Sequence, residues 1–291
     1  MDRPKITQAM INAYDEYTHL TLDRRDFMRK LQSLAGSGAA AAAIVPLLAA
    51  SGARAEVVPA DDNRLDSGDV SYRGAPGDIK AYMAMPKGTE AKLPAVIVIH
   101  ENRGLNAHIK DVTRRIALEG FVALAPDLLS PSGGTPPDED QARTAISALT
   151  DDITRSNLLA AHEFLKTFTQ SNGRVGAVGF CWGGGWVNKL AVADTELKAG
   201  VAYYGMQPPI EDVPKIKAAL MLHYAGLDDR VNKGIDAYKA ALADNSKDVE
   251  IFVYDGVNHA FNNDTSAARY DKSAADLAWS RTIAFLRSKL S

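Results

Sequence analysis

The chain has 291 residues, a mass of 31.2 kDa and a formal net charge of −3. Its content of 46% hydrophobic and 24% charged residues is typical of globular proteins and excludes disordered and fibrous classes. The small negative charge gives no electrostatic reason to bind nucleic acid, and a single cysteine excludes an internal disulfide. No cysteine or histidine cluster has metal-ligand spacing, so we expect neither a metal nor another cofactor.

The first 55 residues resemble an export signal. Arg24 and Arg25 precede a mildly apolar, alanine-rich stretch over 31–50, and residues 53–55 (Ala-Arg-Ala) have the small-x-small pattern of a cleavage site. Paired arginines are typical of the twin-arginine class, whose passengers cross the membrane already folded. The alternative is an alanine-rich helix packed on the domain. We predict a leader over 1–55, a linker over 56–69 and one domain over 70–291.

Because such a leader directs export, we expect the mature chain in the periplasm or otherwise exported, with the export machinery as a partner. If the signal is not used, we expect the chain in the cytoplasm. The predicted mature chain contains no apolar stretch of membrane-spanning length.

After the linker, predicted strands alternate with predicted helices. A hairpin is expected over 70–85, and the continuous apolar run 93–100 is typical of a strand buried on both faces. This alternation predicts an α/β fold with a mostly parallel sheet covered by helices on both faces, whose sites gather at the carboxyl ends of the strands. Further strands are predicted over 121–125, 174–178, 199–204, 218–224 and 249–254, and helices over 109–118, 138–168 (one kinked or two), 186–193, 232–243 and 266–290.

The turn between one strand and the next helix carries Gly179-x-Cys181-x-Gly183, the spacing of a nucleophile elbow with cysteine in the serine position. Glycines are needed because the turn is too sharp for side chains on both sides of the nucleophile. The N–H of Trp182, at the start of the helix, would be free to bind an oxyanion. Alone this motif is weak evidence, since a lone buried cysteine is usually inert.

Two later loops supply the partners that a cysteine nucleophile needs. Asp228 follows the strand 218–224, and His259 follows the strand 249–254 at the same edge of the sheet. The order Cys181, Asp228, His259 is that of the α/β-hydrolase triad, in which the histidine takes the thiol proton and the aspartate orients the histidine. Asp229 is the alternative orienting residue.

Four motifs together resemble the dienelactone hydrolase family over about residues 66–290. The resemblance implies an α/β-hydrolase fold and a Cys-His-Asp triad that cleaves esters or lactones, an activity like that of carboxymethylenebutenolidases. It also implies that Glu101 contacts the resting cysteine and that the backbone N–H of Asn102 is a second oxyanion donor. The motifs are Gly-Phe-Cys-Trp-Gly-Gly at 179–184, Tyr-Tyr-Gly at 203–205, Gly-Leu-Asp at 226–228 and Gly-Val-Asn-His-Ala-Phe at 256–261.

One feature of the resemblance is missing. Family members that cleave dienelactone hold the substrate carboxylate with two arginines, whereas the matching stretches 127–131 and 261–264 contain none. A site without fixed cations must desolvate a carboxylate without compensation, so we expect neutral esters or lactones to be preferred. Arg103 is the candidate replacement for binding substrate.

Other functions are compatible with parts of the pattern. A catalytically inactive hydrolase fold that serves as a binding protein is the main alternative. Dinucleotide binding is disfavoured because the glycine spacing is not G-x-G-x-x-G, and a thiol-redox role is disfavoured because no resolving cysteine exists.

Overall fold

The structure, a computed structural model, describes residues 5–49, 56–75 and 77–291. Within these ranges a sheet forms in the spatial order β1-β2-β4-β3-β5-β6-β7-β8. The β2 strand is antiparallel to both β1 and β4, and the other neighbours are parallel. The strands are β1 (Leu65–Arg73), β2 (Asp78–Pro86), β3 (Leu93–Ile99), β4 (Val122–Pro126), β5 (Ser171–Phe180), β6 (Ala199–Tyr203), β7 (Ala219–Ala225) and β8 (Val249–Tyr254).

Helices cover both faces of the sheet. In the described residues they are α1 (Gln8–Thr18), α2 (Arg24–Ala35), α3 (Gly38–Leu48), α4 (Ala107–Leu118), α5 (Glu139–Ser147), α6 (Asp151–Thr167), α7 (Trp182–Ala193), α8 (Asp229–Asn232), α9 (Ile235–Asp244) and α10 (Lys272–Leu290). One apolar core lies between the sheet, α4 and α10, and a second lies between the sheet, α6, α7 and α9. The predicted α/β fold with a mostly parallel sheet is therefore confirmed.

The central strands are buried because their side chains are apolar on both faces. All five residues of β4 and all five of β6 are buried, and the last part of β5 is buried as well. This burial is expected for parallel strands covered by helices. The region 138–168 forms two helices, α5 and α6. The last helix begins at Lys272 and not at 266, because residues 259–270 form a series of turns held by backbone hydrogen bonds.

The linker prediction for 56–69 is wrong at its carboxyl end. Strand β1 begins at Leu65, and its backbone pairs with β2 through to Arg73. Only Leu65 and Tyr72 of this strand are buried, because β1 is an edge strand, so its sequence is polar. Upstream of β1, Val58 is also buried, and its N–H donates to the carboxylate of Asp111 on α4.

Residues 5–49, which we call the cap, form α1, α2 and α3 and pack on the domain. The cap has its own apolar cluster, in which Phe27, Leu31 and Leu48 are buried, and Ala268 of the domain packs against it. The described part of the predicted leader therefore forms helices packed on the domain, which is the arrangement that the alternative to an export signal predicts. The export signal stays a prediction, and its cleavage motif at 53–55 lies outside the described residues.

Among the described residues no single helix is long and apolar enough to cross a membrane. The helices α2 and α3 satisfy the criterion only together, as a pair bent by 110°.

Candidate active site

Cys181 lies on the sharp turn that joins β5 to α7. Its φ of 55° is in the left-handed region, which is strained for a residue with a side chain. The turn depends on its glycines: a Cβ on Gly179 would lie 2.2 Å from the carbonyl oxygen of Gly183, and one on Gly183 would lie 2.3 Å from that of Ile99. The elbow therefore has the geometry expected from the sequence.

The loops after β7 and β8 bring Asp228 and His259 together. Oδ2 of Asp228 lies 2.5 Å from Nδ1 of His259, and both side chains are buried. The other oxygen, Oδ1, accepts from the N–H of Val231. Asp229 is exposed, so Asp228 is the carboxylate that bonds to the histidine.

The electrostatics of this pair favour charge on both partners. Burial raises the pKa of Asp228, but the adjacent His259 imidazolium outweighs burial and lowers the pKa to about 2. Burial opposes the imidazolium of His259, yet the carboxylates of Asp228 and Asp15 raise its pKa well above its usual value. Both carboxylates therefore stabilise the imidazolium that forms when His259 takes the proton of a neighbouring thiol.

The cap contributes a third side chain to this cluster. Nε2 of His19, which follows α1, lies 3.4 Å from Sγ of Cys181, and the His19 ring packs edge-on to that of His259 at 4.7 Å. Burial raises the pKa of the Cys181 thiol, but the charge of His259 and the neighbouring His19 outweigh burial and lower it to about 6. Nε2 of His259 is buried and has no hydrogen-bond partner among the described residues.

Two groups of side chains in the described residues could hold a metal ion. In the first, His19, Cys181 and His259 each offer one atom, and these atoms lie within 4.8 Å of one another. The second consists of Asp15, Asp228 and His259. Sequence spacing did not show either group, because each includes a residue of the predicted leader, His19 or Asp15, that lies more than 150 positions from its partners. Both groups share His259, so a metal at either would occupy the nucleophile or its partners.

The proposed oxyanion donors lie beside the sulfur. As the first residue of α7, Trp182 has no intrahelical acceptor for its N–H. Asn102 follows β3 and borders the same cavity, while its side-chain amide donates to the carbonyl oxygen of Thr18 in the cap at 2.7 Å.

Glu101 and Arg103 are both buried and engaged by other groups. Oε2 of Glu101 accepts from Nδ2 of Asn263 at 2.8 Å. The Arg103 guanidinium donates to the hydroxyl of Tyr14 in the cap at 2.8 Å and pairs with Glu139 at 3.3 Å. Both residues line a small crevice next to Cys181, and neither borders the main cavity.

The main cavity, of about 300 Å³, opens onto Cys181. Its wall is formed by the end of α1, by α5, α7 and α8, and by loops after β3 and β6. The lining includes Thr18, His19, Leu20, Asn102, Arg143, Trp182, Tyr204 and Arg230.

The expectation that this pocket lacks fixed cations is wrong. Arg143, Lys189 and Arg230 line it. Arg143 pairs with Asp140 and Lys189 with Asp151, and Nε of Arg230 is buried without a hydrogen-bond partner among the described residues. Sequence matching missed these cations because they come from helices that the family arginines do not occupy.

Comparison with known proteins agrees with this geometry. The model of the dienelactone hydrolase family matches residues 79–290. Two relatives are named "Putative carboxymethylenebutenolidase". The one from Escherichia coli O157:H7 is 32% identical, and the match covers 82% of this chain and 93% of the relative. The one from Saccharolobus solfataricus is also 32% identical, and the match covers 75% of this chain and 97% of the relative. The crystal structure of a "Putative Dienelactone Hydrolase" from Klebsiella pneumoniae is 28% identical, covers 77% of this chain and 99% of its own, and superposes with a TM-score of 0.70. The family match begins after the cap.

Proposed function

This chain belongs to the dienelactone hydrolase family and is a carboxylic ester or lactone hydrolase, and we propose that it acts through Cys181 as nucleophile, with His259 and Asp228 as its partners. The observation that carries this proposal is the position of the buried Asp228–His259 pair beside the strained Cys181, at the edge of a cavity of about 300 Å³.

In the first half of the reaction the thiol proton passes to Nε2 of His259 as Sγ of Cys181 bonds to the substrate carbonyl carbon. The carbonyl π electrons move to oxygen, and the resulting oxyanion accepts hydrogen bonds from the backbone N–H groups of Trp182 and Asn102. When the tetrahedral intermediate collapses, the His259 imidazolium gives its proton to the departing alkoxide and a thioester remains. Asp228 stabilises the imidazolium throughout.

In the second half a water molecule attacks the thioester carbonyl while His259 takes one of its protons. Collapse of this intermediate breaks the carbon–sulfur bond and releases the carboxylic acid. The thiolate then recovers a proton from the imidazolium, which restores the starting state.

The experiment that tests this proposal is hydrolysis of short aryl esters and unsaturated lactones by Cys181→Ala. We expect kcat/KM to fall at least about 1,000-fold, because a site that binds the substrate but lacks the nucleophile cannot form the acyl-enzyme. Unchanged hydrolysis by the alanine variant would refute the cysteine mechanism. Absence of hydrolysis by the wild-type chain over the whole substrate panel would instead favour the inactive binding protein.

We also propose export through Arg24 and Arg25, with a periplasmic location. Both arginines are exposed, whereas Phe27 and Leu31 of the same helix are buried in the apolar cluster of the cap. The cap must therefore open before a receptor can bind the apolar face of α2. Replacing both arginines by lysine should keep the protein in the cytoplasm. Recovery of the double variant outside the cytoplasmic membrane at wild-type levels would exclude this signal, and the N-terminus of the exported form tests cleavage after Ala55.

A further inference from the structure

The spaces around the triad reach different members of it. The main cavity borders Cys181 but not His259. A cleft of about 240 Å³ between α1 and the loops after β7 and β8 borders His259 and Asp228 but not Cys181. The small crevice, of about 10 Å³, borders both Cys181 and His259. A molecule in the crevice can therefore contact His259 and a carbon bonded to the sulfur at the same time.

The crevice has the size and polarity of a site for one water molecule. One water needs about 10–15 Å³ of space and about two to four polar partners. Polar side chains line the crevice, among them Glu101, Arg103 and His259. Asn102 borders both the crevice and the main cavity, so the proposed oxyanion donor lies where the two spaces meet.

Two side chains of the crevice have a buried nitrogen that needs a partner. Arg103 and His259 are each 4% exposed, and in the part of the chain that the structure describes neither Nη1 of Arg103 nor Nε2 of His259 has a hydrogen-bond partner. The two atoms are complementary. A guanidinium only donates, whereas Nε2 accepts when Nδ1–H of the same neutral ring donates to Asp228. One water molecule can satisfy both, by accepting from Arg103 and donating to His259.

Other contacts hold the side chains of the crevice in place. Nη2 of Arg103 donates to the hydroxyl of Tyr14 at 2.8 Å, and Nε lies 3.3 Å from the carboxylate of Glu139. Oε2 of Glu101 accepts from Nδ2 of Asn263 at 2.8 Å. These contacts use neither Nη1 of Arg103 nor the full accepting capacity of the Glu101 carboxylate. The crevice is thus a built site with one donor and two acceptors for a water molecule.

We propose that the crevice holds the water molecule that hydrolyses the acyl-enzyme, and that Arg103 is the positioning residue for this water. The inference rests on the proposed cysteine mechanism. Once Cys181 is acylated, its sulfur has no hydrogen to share, and Nε2 of His259 accepts from the water. The acyl group extends into the main cavity and does not compete for the crevice.

The reaction of this water completes the second half of the mechanism. Its oxygen bonds to the thioester carbonyl carbon as one of its protons moves to Nε2 of His259, and the carbonyl π electrons move to oxygen. Collapse breaks the carbon–sulfur bond, whose electron pair stays on sulfur. The sulfur of Cys181 then takes the proton from His259, and the carboxylic acid leaves.

This role for Arg103 differs from the one expected from the sequence, which was binding of substrate. Arg103 borders the crevice and not the main cavity, and a substrate carboxylate has three heavy atoms, too many for about 10 Å³. A single water molecule is the reactant that fits beside this guanidinium.

The test measures acylation and deacylation separately in the full chain. Release of the aryl alcohol from a short aryl ester gives the acylation rate, and loss of the acyl mass from the single cysteine gives the deacylation rate. Arg103→Met removes every donor and keeps a long side chain. Tyr14→Phe is the matched control, because it removes the cap contact of the same guanidinium and leaves Nη1 in place.

Deacylation should slow by about 10- to 100-fold in Arg103→Met, because the water is no longer oriented toward His259. Acylation should stay within about twofold of wild type, because the crevice takes no part in that step. For an aryl ester kcat/KM reports the steps up to release of the alcohol, so kcat and KM should fall together while their ratio is kept. Tyr14→Phe should keep both rates.

Unchanged deacylation in Arg103→Met would overturn the proposal. An equal loss of acylation and deacylation would also overturn it, since Arg103 would then shape the whole site. Equal slowing of deacylation in Tyr14→Phe would overturn it too, because the effect would come from attachment of the cap.

A second measurement needs no variant. Methanol has two heavy atoms and does not fit the crevice, so the wild-type acyl-enzyme should give methyl ester in no more than the mole fraction of methanol in the solvent. A yield well above that fraction would show that the nucleophile arrives through the main cavity, and would overturn the proposal. The mechanism fails separately: hydrolysis that survives Cys181→Ala refutes the cysteine nucleophile, whereas unchanged deacylation in Arg103→Met refutes the water site alone.

Discussion

The nucleophile elbow and the cap meet at one sulfur atom, yet their sequences specify them in different ways. The elbow is local: a buried strand, two glycines and a helix start within a few residues of Cys181 determine its shape. The cap is defined by its partners, because Tyr14, Asp15 and His19 acquire their roles only against Arg103, Arg269 and Cys181. Local geometry can be inferred from sequence, whereas docking requires knowledge of the surface that is covered.

The largest expected effect comes from the elbow side of this comparison. Asp228→Asn should lower kcat for ester hydrolysis by about 1,000- to 10,000-fold, because an amide cannot stabilise the His259 imidazolium and favours the wrong tautomer. The exposed Asp229→Asn is the matched control and should stay within about twofold of wild type. Equal losses in the two variants would show that either carboxylate can orient the histidine.

On the cap side, Phe27→Ala should loosen the cap without unfolding the hydrolase domain. Phe27 is 1% exposed and stacks on Tyr17 at 4.6 Å, so its truncation should cost about 3–5 kcal/mol of cap stability. Hydrogen exchange should accelerate in α1 to α3 and stay unchanged in β3 to β7. Leu34→Ala, at a 40% exposed position of the same helix, serves as control. Loss of protection throughout the sheet would mean that cap and domain unfold as one unit.

Acid should affect the Asp228–His259 pair in a defined window. Because the folded-state pKa of Asp228 is lowered to about 2, its stabilisation is complete above the unfolded value near 3.9 and is lost as pH falls toward 2. The free energy of unfolding of wild type should therefore fall by about 2 kcal/mol more than that of Asp228→Asn across this window. Parallel pH curves from chemical denaturation would contradict a depressed pKa at this position.

The smallest expected effect concerns the cation that the cap and the cavity share. Arg230 donates to His19 and borders the cavity, with its Nε unpartnered among the described residues. Arg230→Gln should lower kcat/KM about tenfold for an unsaturated lactone that carries a carboxylate, relative to its neutral counterpart. The exposed Lys233→Gln is a control for net charge. An equal change for both lactones would show that Arg230 does not contact the substrate carboxylate.

The parallel sheet and the order of Cys181, Asp228 and His259 could be predicted because each has a local signal. Strand β3 is a continuous apolar run, β5 is buried and uncharged from Val175 onward, and both partner loops follow strands at the same edge. The beginning of β1 was missed because an edge strand needs no apolar alternation.

The sequence predicted a leader where the structure has the cap, because an apolar helix after paired arginines is compatible with an export signal and equally with a segment packed on the domain. The spacing of Asp15 and His19, one helical turn apart, is a local hint that polar groups share a face there. Choosing between Asp228 and Asp229 likewise required the observed 2.5 Å contact, since adjacent residues have the same sequence signal.

The cap leaves the ribosome before the domain, and two of the groups that bind it, Arg230 and Arg269, come late in the chain. Arg230 and Arg269 follow it by roughly 180 and 220 residues, which at about 5–20 residues per second takes about 10 to 45 seconds. During that interval the apolar cluster of the cap, with Phe27 and Leu31, has only the cap helices to cover it, because Ala268 of the domain is not yet in place. Any receptor for the paired arginines therefore competes with docking in time, and slower translation lengthens the period in which the receptor can bind.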